Sequence, residues 1–191
     1  MNGTASPNEV LNPSISFKEA VDIAEGDNKY EYRINGIEIP QGKNSFAITA
    51  ENVKNLNVGI ELLIFWTKSA NAINGVATIS QGSVPGGKYN IKIFGISSDN
   101  ASSVNLTIKA ASKITVDGEG HFEYRYSTSN LPTGIYILNI GDEIRTIQLL
   151  ASKEKTDKEG LESPEVKNTP VPVATKKDES LFNRFMRLLG L

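Results

Sequence analysis

The chain has 191 residues, a formal net charge of -2 and no cysteine. The absence of cysteine excludes a disulfide scaffold, a thiolate metal site and a cysteine nucleophile. With no basic excess we expect no nucleic-acid partner, and no apolar run is long enough to cross a membrane.

The N-terminal residues 1–13 are rich in Asn, Ser and Pro, and we expect a flexible leader there. The opening MNGTASPNEV has no apolar core of the kind that a signal peptide needs. Two alternatives remain, a cytosolic protein and an exported protein whose signal peptide has been removed. We expect the second, with an extracellular or cell-surface location.

Residues 14–150 have the texture of a β-protein. Apolar and polar side chains alternate in KYEYRI from Lys29, KYNIKIFG from Lys88, SVNLTIKA from Ser103 and HFEYRY from His121. Alternation of this kind buries one face of a strand and exposes the other to water, as in antiparallel sheets. We therefore predict an all-β fold, an antiparallel sandwich or barrel of short strands.

Some segments within this region are read differently. FKEAVDIAEGD, from Phe17, fits a helix or a strand equally well. GIELLIFW, from Gly59 to Trp66, is apolar on both faces, which predicts a central strand or a subunit contact. The pairs Asn35-Gly36 and Asn74-Gly75 favour tight hairpin turns.

The texture changes after Leu150. Residues 151–179 are charged and contain prolines, and they have too few large apolar groups to fold, which predicts a disordered linker. Residues 180–191 show helical spacing and predict a short amphipathic helix that docks on a protein partner, with a membrane surface as the alternative. The apolar residues of this helix are Leu181, Phe182, Phe185, Met186, Leu188 and Leu189.

One phrase occurs twice. VPGGKYNIKIFG starts at Val84 and LPTGIYILNIGD starts at Leu131, both with the pattern apolar-Pro-x-Gly-x-Tyr-x-apolar-x-Ile. Proline fixes φ before the strand, and glycine permits a turn that other residues resist. The two copies raise the alternative of two fused β modules with a boundary near residues 80–83.

The second copy has a longer context, TVDGEGHFEYRYSTSNLPTGIYILNIGDEIRTIQL. This stretch resembles the immunoglobulin-like repeats of bacterial and archaeal cell-surface proteins, of the S-layer-associated or adhesin type. Such repeats read D-x-x-G-x-F and then L-P-x-G-x-Y-x-L-x-I. The resemblance implies an immunoglobulin-like β-sandwich with a structural or adhesive role, although the cysteine pair of classical immunoglobulin domains is missing.

No residue pattern predicts catalysis. The single histidine, His121, lies on the polar side of HFEYRY, and no nucleophile elbow accompanies it. Carboxylates in turns are candidates for calcium, the weak candidates being Asp99, Asp117 and Glu119, while ordinary turn chemistry is the favoured interpretation. We expect no enzyme activity and no other cofactor.

Three sequons, at Asn2, Asn100 and Asn105, are glycan acceptors if the protein is exported. The leading hypothesis is a non-enzymatic surface or envelope module that binds a protein partner or a second copy of itself. A carbohydrate-binding module is one alternative, and it needs Trp66 and other aromatic residues exposed together. A cytosolic assembly protein that docks through its C-terminal helix is the other.

Overall fold

The structure is a computed structural model that describes residues 1–24, 26–61 and 65–151, with only the backbone described at residues 61, 65 and 66. These residues form strands and no helix, within one compact unit, Met1–Leu150. The predicted linker beyond residue 151 and the predicted helix over residues 180–191 lie outside the described residues. The strands are β1 (Asn2–Thr4), β2 (Val10–Leu11), β3 (Ser14–Asp22), β4 (Lys29–Ile39), β5 (Lys43–Glu51), β6 (Asn55–Glu61), β7 (Phe65–Asn71), β8 (Val76–Val84), β9 (Gly87–Ile96), β10 (Ser103–Thr115), β11 (His121–Glu123), β12 (Gly134–Ile140) and β13 (Glu143–Leu149).

The strands form two main antiparallel sheets and one short ribbon. The large sheet has the order β13-β12-β3-β10-β5-β8, and β2 pairs with one end of β10. The small sheet has the order β4-β9-β6-β7, and β1 pairs with β11 as a separate ribbon. The all-β, antiparallel prediction is confirmed, and the architecture is sandwich-like. In this sheet β10, which follows residues 80–83, lies between β3 and β5, which precede them, so strands from both halves of the chain share one sheet.

A continuous apolar row crosses the inner face of the large sheet. The register places Phe17 of β3 opposite Ile108 of β10, and Ile108 opposite Ile48 of β5. Ile48 in turn lies opposite Ile79 of β8, while Phe17 lies opposite Tyr136 of β12. All five side chains are buried, so the period-two pattern of five separate strands becomes one wall of the core.

The small sheet contributes the opposite wall of the core. In β9, Tyr89, Ile91 and Ile93 are buried, as the alternation predicts. Tyr30 of β4 lies beside Gly95 of β9, and its hydroxyl donates to the carbonyl of Asn55 at 2.9 Å. The absence of a side chain at Gly95 allows the Asn55 carbonyl to approach this closely, because a Cβ at residue 95 would stand 2.5 Å from the Asn55 carbonyl oxygen.

Two expectations from the sequence are corrected by the strand pairing. Residues 1–13 are not a free leader, because β1 pairs with β11, β2 pairs with β10, and Pro13 is buried. Gly59–Trp66 is not one central strand: it is divided between β6 and β7, and Glu61 pairs with Phe65. β7 is the edge strand of the small sheet. The segment from Phe17, which fitted a helix or a strand, is a strand as far as Asp22, because it belongs to β3.

The two Asn-Gly pairs behave differently. Asn74 and Gly75 both have positive φ (52° and 77°), and Ile73 bridges to Val76, which is the expected tight hairpin. Asn35-Gly36 lies inside β4, where the register to β9 shifts between Ile34 and Ile37. The side-chain oxygen of Asn90 accepts the N–H of Gly36 at 2.8 Å, so this pair forms a bulge and the prediction of a hairpin is wrong there.

The repeated phrase encodes the same contact twice. The hydroxyl of Tyr89 donates to the carbonyl of Pro85 at 2.9 Å, and the hydroxyl of Tyr136 donates to the carbonyl of Pro132 at 2.7 Å. Both rings are buried, and Gly134 between Pro132 and Tyr136 has φ of 151°. Each phrase thus closes a tyrosine corner, in which the ring fills the core while its hydroxyl holds the entering chain.

We expect the Tyr136→Phe substitution to lower the free energy of unfolding by about 1 kcal/mol, because a buried ring loses the one hydrogen bond that its hydroxyl donates. Urea unfolding measures this change. Thr146→Ser, on the exposed side of β13, is the matched control and should change the free energy by less than about 0.5 kcal/mol. A loss no larger than that of the control would show that the corner does not stabilise the fold.

Stability should fall in alkaline solution, because burial raises the pKa of all six tyrosines above their usual range. The values for Tyr32 and Tyr126 are about 12. In the unfolded chain these phenols ionise at about pH 10. The stabilisation that the buried, protonated tyrosines give is therefore complete below that pH. It is lost as pH rises through the raised pKa values of the folded protein.

Urea unfolding from about pH 9 to about pH 12 tests this expectation, together with the ultraviolet absorbance of tyrosinate in the native and unfolded chain. Native tyrosines that ionise at the same pH as the unfolded ones would contradict it.

Candidate functional site

Three isoleucines project from the outer face of the β12–β13 hairpin. Ile135, Ile137 and Ile144 are 62%, 46% and 66% exposed. Ile135 and Ile137 are two residues apart on β12, so they point to the same side. Ile144 of β13 lies opposite Asn139, the next residue of β12 on that side, and therefore shares their face. We call these three side chains the isoleucine ridge. Large apolar side chains grouped on an exposed sheet face are typical of a contact surface.

The core explains why the isoleucines point outward. Tyr136 and Ile140 alternate with them along β12 and are buried, and the Tyr136 ring packs on Phe17 with 4.9 Å between the ring centroids. Because successive side chains of a strand point to opposite faces, inward Tyr136 requires outward Ile135 and Ile137. The tyrosine corner therefore fixes the position of the ridge.

β13 is the terminal strand of the large sheet, with no described strand on its outer side. A two-residue turn, Gly141-Asp142, joins it to β12, and Gly141 has the positive φ (59°) that the first central position of a type II′ turn requires. β8, the terminal strand at the other side, is contacted by β7: Lys68 Nζ donates to the carbonyl of Ser80 at 2.8 Å. We call the outer side of β13 the open edge.

Glu143 and Arg145 occupy the other face of β13. Arg145 Nε lies 3.0 Å from Glu143 Oε1, and each side chain is 56% exposed. Opposite charges thus flank Ile144 along the strand and stay in contact with water.

The outer face beside the ridge carries small side chains. Thr49 of β5 and Thr78 of β8 lie opposite each other with 3.0 Å between their hydroxyl oxygens. The register aligns the outward residues of neighbouring strands in rows that run across the sheet. The three central rows contain two charged side chains, Lys18 and Lys109. The small residues of these rows are Ser14, Ser16, Ser45, Ala47, Thr49, Thr78, Ser80, Gly82, Thr107 and Ala111.

The acidic turn residues lie at opposite ends of the large sheet. Oδ1 of Asp117 accepts the backbone N–H groups of His121 at 2.8 Å and Glu119 at 2.9 Å. These hydrogen bonds lower the pKa of the Asp117 carboxyl, and the bond from the His121 N–H has the largest effect. His121 itself is exposed in a shallow groove that Asn2, Thr115 and Glu123 also line.

Asp99 lies before β10, whereas Asp117 follows it, so the length of that strand separates them by about 40 Å. Lys54 Nζ is 2.6 Å from Asp99 Oδ1. Asp99 therefore cannot share an ion with Asp117 and Glu119. In the described part of the chain no three carboxylate or histidine side chains are grouped as a metal site requires.

The three sequon asparagines are all exposed, in different settings. Asn2 is in β1, Asn100 is in the turn before β10 with φ of 60°, and Asn105 is within β10. Leu106, the middle residue of the third sequon, is fully buried. Asn100 has the most accessible backbone of the three, because Asn105 is paired with β3 on one side and β5 on the other.

Aromatic side chains offer no exposed stacking surface in the described residues, where every phenylalanine and tyrosine with a described side chain is buried or half-buried. The side chain of Trp66 lies outside the described residues. So do the docking residues predicted for the C-terminal helix, from Leu181 to Leu189.

Sequence reasoning did not identify the isoleucine ridge. The segment from Ile135 to Leu138 is apolar at every position. Only the alternating residues Tyr136 and Ile140 were used for the prediction from sequence, and the apolar residues on the other face of the same strand were not considered. A strand that is apolar on both faces needs cover on both sides or carries a contact surface.

Comparison of the chain with protein-family models, with curated proteins and with solved structures finds no match. Across the described residues, no helix has the length and apolarity that crossing a membrane takes.

The role of Asp117 can be tested by two substitutions. We expect Asp117→Ala to lower the thermal midpoint, because the N–H groups of Glu119 and His121 lose their acceptor. Asp117→Asn keeps an acceptor oxygen and should retain most of the stability. Both variants and the parent are melted with and without millimolar calcium. A calcium-dependent rise in the parent that Asp117→Asn abolishes would instead make Asp117 an ion ligand.

Proposed function

We propose that this protein is a non-catalytic module of a cell surface or envelope, an immunoglobulin-like β-sandwich that binds a protein partner through its β12–β13 hairpin. Its role is structural or adhesive. The observation that supports it best is the position of three exposed isoleucines on the hairpin that ends in the open edge.

The energetics favour a protein partner at this hairpin. Full burial of an isoleucine side chain contributes about 1.5–3 kcal/mol relative to exposure, and each ridge side chain still has roughly half or more of its surface in water. The backbone N–H and C=O groups along the open edge provide directional hydrogen bonds to an added strand. Apolar contact and strand addition together give both affinity and register.

The hairpin is held in place before binding. Tyr136 is anchored to Pro132 and packed on Phe17, and β12 is paired to β3 from Tyr136 to Asn139. A rigid surface loses little conformational entropy when a partner docks. This property suits a scaffold that transmits load or displays a contact.

The surface location is supported by sequence features. The run from Asp117 through Leu131 to Ile140 resembles surface repeats of the S-layer-associated or adhesin type, most like those of archaea. Exposed sequons at Asn100 and Asn105 suit a glycoprotein of such a layer. The exported chain would meet its partner outside the cell.

We expect simultaneous replacement of Ile135, Ile137 and Ile144 by serine to weaken binding to washed envelopes of the source organism by about tenfold or more, because several buried apolar contacts are lost. Binding is measured by cosedimentation of the labelled chain. Ile73→Ser is the matched control, because Ile73 is 78% exposed in the β7–β8 turn and lies away from the hairpin.

Surface labelling of intact cells accompanies the binding measurement. Equal binding by the triple variant and the control, or protection of the protein from a membrane-impermeant label, would contradict the proposal.

A further inference from the structure

The sequence of the open edge is complementary to itself. Along β13, Glu143 precedes the exposed Ile144 and Arg145 follows it, so reversal of the strand exchanges a negative for a positive charge. A contact across a two-fold axis uses the same surface on both subunits, and that surface must complement itself. We infer that the partner at this edge is a second copy of this chain, with β13 antiparallel to β13 of that copy and Ile144 on the axis; the inference rests on the proposed function.

Only certain registers keep the ridge on one face. Directly opposite residues of an antiparallel pair point to the same side of the sheet. An axis between two residues would place an outward residue of one copy opposite an inward residue of the other. The axis must therefore pass through a residue of β13, which then lies opposite its own copy. An axis at Glu143 places two carboxylates opposite each other, and an axis at Arg145 does the same with two guanidinium groups. Like charges directly opposite are unfavourable, which eliminates both registers.

The remaining positions are Ile144, Thr146 and the residues after Thr146, and an axis at Thr146 or later leaves Glu143 and Arg145 opposite no charged residue of β13 in the other copy. With Thr146 on the axis, Arg145 of each chain lies opposite the aliphatic side chain of Ile147 and gains no new partner. With Ile144 on the axis, Glu143 of each chain lies opposite Arg145 of the other. Because these two residues already touch within each chain, the four charges alternate in sign around the axis.

The apolar side of the strand favours the same register. Ile144 is exposed in the single chain, and on the axis it meets Ile144 of the other copy directly. Ile137 lies diagonally next to Ile144, since Ile137 is opposite Thr146, so the two ridges merge across the junction. The charges and the isoleucines occupy opposite faces of the strand, and one register satisfies both.

Dimerisation covers the part of the open edge next to the hairpin turn. With Ile144 on the axis, Glu143–Arg145 of the two copies face each other, and the outward N–H and C=O groups of Ile144 find partners in the other copy, so the two large sheets join at this end of β13. The small-residue outer faces of the two copies then continue from one to the other, with a central apolar ridge. Such an extended face suits a subunit of a layered surface assembly.

Charge exchange tests the inference on the full chain by sedimentation velocity. Glu143→Arg alone and Arg145→Glu alone should each raise the dimer dissociation constant by about tenfold or more, because two attractive pairs become repulsive. The double exchange E143R/R145E should restore the dimer. An equimolar mixture of the two single variants should also restore it, as a heterodimer, because every opposing pair is again of unlike charge.

Cysteine cross-linking tests the register, and the chain has no cysteine of its own. Ile144→Cys should form a disulfide-linked dimer under mild oxidation, because opposite Cα atoms on the axis stand about 4.5–5.5 Å apart. Thr146→Cys is the matched control on the same face, and its two sulfurs belong to residues about 13 Å apart in this register. Circular dichroism checks that each variant is folded.

Each result has one consequence. A parent chain that stays monomeric at its highest soluble concentration overturns the inference, and so do single exchanges without effect or a mixture that is not rescued. Preferential cross-linking of Thr146→Cys overturns the register. If the chain is monomeric but the isoleucine variants still lose envelope binding, the proposed function stands and its partner is a different protein.

Discussion

The large sheet is six strands wide along its path, whereas the small sheet that covers its inner face has four. A sheet packed on a narrower one must leave part of its width without strand cover, and here the surplus falls at β12 and β13. The inner face of β12 still closes over the core through Tyr136 and Ile140. β13 lies beyond that cover. Two of its inward-facing positions, next to the hairpin turn, carry Glu143 and Arg145, which water reaches, while the other two, Ile147 and Leu149, are half-buried.

The tyrosine corners connect local sequence to this arrangement. Each corner uses a ring as part of the core wall and its hydroxyl as a clamp on the proline carbonyl four residues earlier. The corner at Tyr89 sets the entry of a central strand, β9, and the corner at Tyr136 sets the entry of a strand near the edge. The same contact thus stabilises the interior in one place and orients the isoleucine ridge in the other.

Buried polar groups show how closely the core depends on tertiary partners. Asn44 is 5% exposed, and its amide donates to the carbonyl of Pro40 at 2.7 Å while its oxygen accepts from Ser112 at 2.8 Å. Ser112 belongs to β10, far along the chain. A satisfied buried amide of this kind holds the turn after β4 against the large sheet, and nothing in the local sequence around Asn44 indicates that role.

Sequence alone determined the all-β class and the inward faces of β4, β9 and β10, because period-two alternation is a property of each strand by itself. It also determined the hairpin at Asn74-Gly75. Only tertiary structure decided that Asn35-Gly36 is a bulge, that residues 1–13 join the sheets, and that the Ile135–Ile140 strand lies beside an open edge. Those outcomes depend on which strand lies next to which, and strand order is set by the long-range packing of the two sheets, which no short stretch of residues contains.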